Sequence, residues 1–422
     1  MPCPPKPRLL LLLPTATYRA TAFVEAARRL DVELTVASEL PSTFEQAQPD
    51  RLLTLDFSDP ERAAQQAYQF ARTHPIAGVT GVDDTAAVVA AAIAERLGLK
   101  GNSVSAALAA RDKHIQRSEL ARRGVPVPRF ERHGLDEDVP ELAARTRYPC
   151  VLKPLRLSAS RGVIRADDPP GFVAAFARLQ QILEQPEVAA CGAWTRYVLV
   201  EDFVPGPEVA LEGLVIEGRI HVLGLFDKPD PLDGPFFEET IYLTPSRFSE
   251  PARQDIVGCG QAAVAALGLW EGPIHAELRY NATGPWLIEL AARPIGGRCS
   301  AVLRFTAGEG GRGNALASLE ELIIRHALGM PLPALEREER AAGVMMIPVP
   351  GAGVLRDVRG IAEARAVPLV EDVVITAHLG QALVPWPEGS RYPGFIFARG
   401  ETPEAVEAAL RVAHRRLAFV IG

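Results

Sequence analysis

The sequence predicts a chain of mixed α/β and α+β class in three parts, on three observations. Apolar strand-like runs alternate with helical patterns over residues 8–97, the signature of parallel βαβ units. Two prolines within 124–128 then rule out a continuing helix and force extended chain. Beyond them, strand-like runs outnumber helices, as in antiparallel sheets flanked by helices.

Taken in order, residues 8–13 are an apolar run closed by Pro14. Lys6 and Arg8 ahead of it give the outline of a signal peptide, but the run is too short and reads as a buried first strand. A helix over 18–30 and a strand over 33–37 complete the first βαβ unit. Strands at 52–55 and 76–80 and helices at 59–73 and 85–97 repeat it, giving a Rossmann-like first domain that ends near Gly101. Its first turn, residues 13–17, lacks the G-x-G-x-x-G pattern, so no dinucleotide is placed there. A helix over 106–123 follows, then the extended 124–128. Strands are expected at 150–153, 197–203, 208–216, 220–226, 274–280 and 286–291, with helices at 171–183 and 250–267. The proline-rich and charged stretch 331–340 leads to strands at 344–348, 373–377 and 395–398 and a helix over 403–417. The expected domains are 1–105, 106–335 and 336–422.

The composition excludes several function classes. A chain of 422 residues with 48% hydrophobic and 23% charged residues is globular, and too long for one core. The net charge of −7 offers no broad basic field, so small molecules are expected as partners, with no nucleic acid and no membrane surface. No stretch reaches the roughly eighteen apolar residues of a membrane helix. Five scattered cysteines without a C-x-x-C pair fit reduced thiols and a cytoplasmic protein.

Three clusters carry chemistry. Lys113 follows Arg111-Asp112 at a helix start, and Lys153 closes an apolar strand just before the small-residue loop 156–162. Lys113 taken alone reads first as a solvated helix lysine, whereas Lys153, an ammonium beside a loop rich in free N–H groups, resembles a phosphate clamp. Glu201 and Glu208 flank the turn Pro205-Gly206 and are expected on the two arms of one hairpin, facing either solvent or a nucleoside. Strand period two puts His275, Glu277 and Arg279 on one face, and Glu289, Ala291 and Arg293 on another. If those strands pair, two carboxylates and a guanidinium converge, which implies either an ion-pair network or a cation; oxygen ligands beside phosphate select Mg²⁺ over zinc.

In this order the motifs resemble ATP-grasp enzymes, and within them the bacterial L-amino-acid ligases that make dipeptides and the carnosine-synthase-like proteins. The matching text is Arg111-Asp112-Lys113, Val151-Leu152-Lys153-Pro154, Glu201 to Glu208, Asp227-Lys228-Pro229, Phe236-Phe237-Glu238-Glu239, His275-Ala276-Glu277, and Ile288-Glu289-Leu290-Ala291-Ala292-Arg293-Pro294. It extends to Gly353-Val354-Leu355-Arg356 and Tyr392-Pro393-Gly394-Phe395.

The resemblance implies an ATP-grasp fold with a small α/β C-terminal domain. It implies an enzyme that joins a carboxylate to an amine through an acyl phosphate, releasing ADP and phosphate. Lys113, Lys153, Ser160 and Gly162 would meet ATP phosphates, Glu201 and Val204 the adenine, and Glu208 the ribose. Glu277 and Glu289 would hold two Mg²⁺ ions, for which Mn²⁺ can substitute, and Arg293 would neutralise the transferred phosphoryl group. Amino acids would be the substrates, met by Glu239; next to the motif, Gly296 and Gly297 admit close backbone approach, and Arg298 offers a planar fork to a substrate carboxylate, beside the stronger alternative of an arginine paired with a structural acid. His275 is the candidate for substrate contact or for removing a proton from the amine, beside the alternative of a structural histidine. Two departures stand out: the loop 158–162 has few glycines, and Ala291 occupies the place of a metal-binding asparagine. A bicarbonate-using carboxylase and a non-catalytic nucleotide sensor are the alternatives, and a homodimer is compatible with the pattern.

Overall fold

The computed structural model describes residues 6–15, 17–306 and 316–422. Four parallel strands open the chain in the spatial order Leu52–Thr54, Glu33–Ser38, Arg8–Leu12, Gly78–Gly81. Residues Leu9 to Leu12 are fully buried, as a central parallel strand requires. The last strand turns into helix Asp84–Leu97 so tightly that a Cβ on Gly81 would lie 2.4 Å from the Ala86 carbonyl carbon. Asp83 caps that helix by accepting from the Ala86 N–H, and Gly98 ends it in the left-handed region.

The helix expected over 106–123 is two helices, Val104–Arg111 and Lys113–Arg122. Asp112 between them is extended (φ −97°, ψ 113°) and accepts from the N–H groups of His114 and Ile115. A short acidic side chain capping the second helix competes with the continuous ladder, and the break sets Lys113 on a first turn.

The central part holds two sheets. One has four antiparallel strands in the order Phe130–Gly134, Tyr197–Asp202, Cys150–Pro154, Ile164–Ala166, with helix Pro169–Leu183 packed on it through Phe172, Phe176 and Leu179. The other has eight strands: Gly284–Ala291, Gly272–Asn281, Glu208–Ile216, Arg219–Lys228, Ile241–Thr244, Ala341–Met346, Gly394–Gly400 and Val370–Ile375. Strands before and after residue 336 thus share one sheet. One buried cluster joins Leu9 and Phe23 to Phe226, Tyr242, Ile323 and Phe397, so all three parts of the chain share a core. Among the described residues no helix is long and apolar enough to cross a membrane.

Candidate active site

A cavity of about 650 Å³ opens where the three parts meet. Its wall takes Tyr18 and Asp84 from the first part, Lys153 and Glu289 from the second, and Arg391 and Phe395 from the third.

Glu201 and Glu208 are not on one hairpin. Tyr197–Asp202 lies in the four-stranded sheet and Glu208–Ile216 in the eight-stranded one. Pro205 and Pro207 bring no N–H to a ladder, and the turn instead docks on the next strand, with Tyr280 N–H donating to Pro207 O. At Gly206 (φ +117°) a Cβ would sit 2.4 Å from the Tyr280 carbonyl oxygen. The chain therefore passes from one sheet to the other at this turn, and residues of both sheets line the cavity.

Along the cleft, Lys153 Nζ lies 2.7 Å from Glu201 Oε2, and Arg117 Nε lies 2.6 Å from Glu201 Oε1. Burial opposes the charge on Glu201, but the flanking Arg117 and Lys153 hold its carboxyl below the usual range. Its carboxylate is thus closed off by two cations, which differs from the expectation of an acceptor free for adenine. Val204, Phe203, Val163 and Leu232 supply an apolar slot beside it.

The strands Gly272–Asn281 and Gly284–Ala291 pair with Glu277 directly opposite Glu289. Glu289 Oε1 meets Lys113 Nζ at 3.0 Å, and Lys113 also donates to Leu157 O at 2.9 Å. In the middle strands of the same sheet Glu208 is in register with Lys228 on one side and Arg279 on the other. Lys228 Nζ lies 2.7, 2.5 and 2.6 Å from carboxylate oxygens of Glu208, Glu239 and Glu277. Burial opposes the Lys228 ammonium, yet these acids hold its pKa well above the ordinary value. Burial likewise opposes the charge on Glu277, but Lys228 and His275 keep its carboxyl far below the usual range.

Glu239 is the exception in this cluster. Burial raises it, Lys228 only partly offsets that, the Glu277 charge raises it again, and it comes to about 7 instead of 4.5. The native state then holds a proton that the unfolded chain has released, so this group's contribution to stability is full below about pH 4.5 and is lost as pH rises through about 7. Thermal midpoints measured across that window should decline more steeply in the wild type than in Glu239→Gln; equal slopes would show that Glu239 ionises normally.

His275 lines the cavity with Nδ1 3.5 Å from Glu212 and Nε2 3.6 Å from Glu277. Burial disfavours its charge, but the two carboxylates outweigh burial and raise its pKa. The ring put forward for substrate contact or proton removal thus lies between two carboxylates.

Arg293 Nε lies 3.1 Å from Asp84 Oδ1, and Ser158 Oγ donates to Asp84 Oδ2 at 2.8 Å. Against the pull of burial, Asp84 and Glu289 raise the Arg293 pKa. One acid of the first part thus fixes both an arginine of the wall and the start of the loop 158–162. In that loop Ala159 and Ser160 are left-handed (φ 56° and 53°), Trp386 Nε1 donates to Ala159 O at 2.8 Å, and Gly162 N–H donates to Pro387 O at 2.8 Å. Ser160 lines the cavity; Gly162 lies behind the wall, where it shapes the loop.

Gly296 and Gly297 line the cavity, and Gly297 (φ +58°) packs so closely on Met346 that a Cβ would lie 2.4 Å from its sulfur. Arg298 is not on the wall: its guanidinium sits 5.7 Å over the Phe395 ring, and only that ring reaches the cavity. Lys228 and Asp84 had no role assigned from sequence. Lys228 ends a ten-residue apolar-rich strand, and a lysine in that place was the available signal. Asp84 carried none.

The donor set fits a divalent cation. Glu277 and Glu289 offer carboxylate oxygens from paired positions on the cavity wall, the donor type that suits Mg²⁺, and a lysine ammonium meets each of them. Ala291 at the end of the second strand adds no ligand.

The chain is similar to known proteins along most of its length. Residues 24–101 match an ATP-grasp N-terminal domain, 146–302 an ATP-grasp domain, and 345–422 an L-amino acid ligase C-terminal domain. The chain is 30% identical over 215 residues to alanine–anticapsin ligase of Bacillus subtilis (strain 168), spanning 48% of this chain and 45% of that protein. It is 29% identical over 199 residues to dapdiamide A synthase of Enterobacter agglomerans, spanning 46% and 45%. The chain spans under half the length of these two relatives. A crystal structure of L-amino acid ligase from Bacillus licheniformis superposes with a TM-score of 0.79 at 28% identity, over 99% of each chain. A first part, a central part and a last part that match in this order show a chain built of ATP-grasp domains and closed by an L-amino acid ligase C-terminal domain.

Proposed function

We propose that the chain joins two amino acids by an amide bond, activating one carboxylate as an acyl phosphate with ATP and releasing ADP and phosphate. The observation that carries this reading is the single cavity in which Glu277, Glu289, Lys113, Lys153 and Arg293 share a wall. Val163, Phe203, Val204 and Leu232 give the same cavity an apolar stretch for a base, and Gly296 and Gly297 give it bare backbone.

The carboxylate oxygen of the first substrate takes the γ-phosphoryl group and ADP leaves. The amine nitrogen of the second attacks the acyl carbon, phosphate departs with the bonding electrons, and the amine gives up a proton. Lys113 and Lys153 bind phosphate oxygens, and Arg293, held by Asp84, faces the charge that develops on the transferred group. Glu277 and Glu289 would hold two Mg²⁺ ions, or Mn²⁺ in their place, whose charge offsets that of the phosphates. Glu239, on the cavity wall beside Lys228 and Tyr242, accepts the amine proton, while His275 lies between Glu212 and Glu277. Arg298 acts through Phe395. Cys150, Cys191, Cys259 and Cys299 are free thiols, which supports a reducing, cytoplasmic setting.

Screening amino-acid pairs for phosphate release, with the product identified by mass, tests the reading; ATP turnover that yields no condensed product would remove it. Lys153→Ala should weaken ATP binding by roughly tenfold to a hundredfold, the worth of a charge-assisted hydrogen bond. Unchanged nucleotide affinity by calorimetry would leave Lys153 a partner of Glu201 and nothing more.

A further inference from the structure

We infer that Arg391 recognises the carboxylate of the incoming amine substrate, so that the acceptor is an amino acid held amine-inward by the C-terminal part of the chain. The inference rests on the ligase reading above and adds to it the residue that selects the acceptor.

Other cations on the cavity wall are already engaged. Lys113 meets Glu289, Lys153 meets Glu201, Arg279 meets Glu208 and Arg293 meets Asp84. Arg19 donates to the carbonyl oxygens of Pro294 and Ile295. Arg391 alone among the wall's arginines and lysines has no hydrogen-bond, ion-pair or ring partner among the described residues, and it is exposed at the mouth. The acid nearest to it in sequence, Glu388, is taken by a bidentate pair with Arg178 at 2.5 and 2.8 Å.

The backbone that presents Arg391 is fixed on its C-terminal side. Tyr392 O accepts from Thr376 Oγ1 at 3.0 Å, Pro393 O accepts from the N–H groups of Thr376 and Ala377, and the Tyr392 ring lies 4.8 Å from Trp386 and 6.2 Å from Phe395. This part of the wall, which also carries His378, Gln381 and Ser390, contributes no carboxylate to the cavity. The floor is the opposite, with Glu239, Glu277 and Glu289 facing inward. A zwitterionic amino acid finds in Arg391 the wall's one guanidinium without a partner among the described residues, and pairing its carboxylate there leaves its ammonium for the rest of the cavity. That placement delivers the nitrogen to the acyl phosphate. A guanidinium, with parallel donors that match both carboxylate oxygens, suits the task.

The test compares one acceptor amino acid with its C-terminal amide at a fixed acyl substrate, in wild type, Arg391→Ala and Arg391→Lys. The wild type should favour the acid over the amide in kcat/KM, on the order of tenfold to a hundredfold, through KM of the acceptor. Arg391→Ala should erase that preference while leaving the KM of ATP and of the acyl substrate near their original values, and Arg391→Lys should restore part of it. A preference that persists in Arg391→Ala, or a loss spread equally over all three substrates, would overturn the assignment while leaving the ligase reading intact. Hydroxylamine, which traps an acyl phosphate without any carboxylate of its own, separates the two: a wild type that forms no hydroxamate with any amino acid would sink the ligase reading and this inference with it.

Discussion

Replacing Lys228 by alanine should destabilise the fold by about 3–5 kcal/mol, the usual result of leaving buried charges without their partner. Lys228 is buried, and its ammonium is the hub for Glu208, Glu239 and Glu277, whose carboxylate oxygens lie within 4.8 Å of one another. Without it, three acids face one another in a space with little water, and Arg279 balances only Glu208. Protonation then becomes the cheapest relief, so the defect should shrink on lowering the pH from about 8 to 5. Millimolar Mg²⁺ should relieve it too, since the same oxygens form a possible cation cage. Urea unfolding of wild type, Lys228→Ala and Lys228→Ala/Glu239→Gln measures this, with the double variant recovering part of the loss. A single variant within about 1 kcal/mol of wild type would mean that the three acids are solvated and the cluster is not a structural hub.

Glu289→Ala and Glu277→Ala should each lower ATP turnover by roughly a hundredfold to a thousandfold, as for loss of a group that stabilises transition-state charge, while the chain stays folded. Glu289 is the cleaner of the two. It is partly exposed on the cavity floor, carries no packing load, and its partner Lys113 keeps the Leu157 carbonyl. Glu277 is shared with Lys228 and His275, so its removal should also shift the unfolding midpoint. Phosphate release with saturating amino acids, set beside thermal unfolding of the same samples, separates the two effects. Near-normal phosphate release in Glu289→Ala would remove the metal assignment.

Much of this site was legible along the chain because strands obey a period of two. The alternation put Glu277 and Glu289 each on one face of a strand and left the pairing conditional; the structure pairs them directly, with a register shift just beyond Glu277. The apolar run before Lys153 likewise announced a strand that ends at a charged group, and Lys153 does sit in the cleft. Reading failed where a residue's partner comes from another sheet or another part of the chain. Two proline-flanked strands look like a hairpin, yet Glu201 and Glu208 belong to different sheets because the turn docks on Tyr280 instead of pairing its own arms. A helix with good propensity over 106–123 was divided by one capping aspartate, Asp112.

What the sequence determined by itself was therefore local and periodic: the βαβ opening, the strands that carry Glu277 and Glu289, and the order of motifs; Arg293, expected on the same strand face as Glu289, lies past the strand's end at Ala291. Only the tertiary structure decided which charges are available. Glu201 is neutralised by Arg117, His275 is held between two acids, Arg298 is turned onto Phe395, and Arg391 is left open at the mouth. Each of those outcomes depends on groups far apart in sequence brought within a few ångströms, where burial and a neighbouring charge, rather than residue type, set what a side chain can bind.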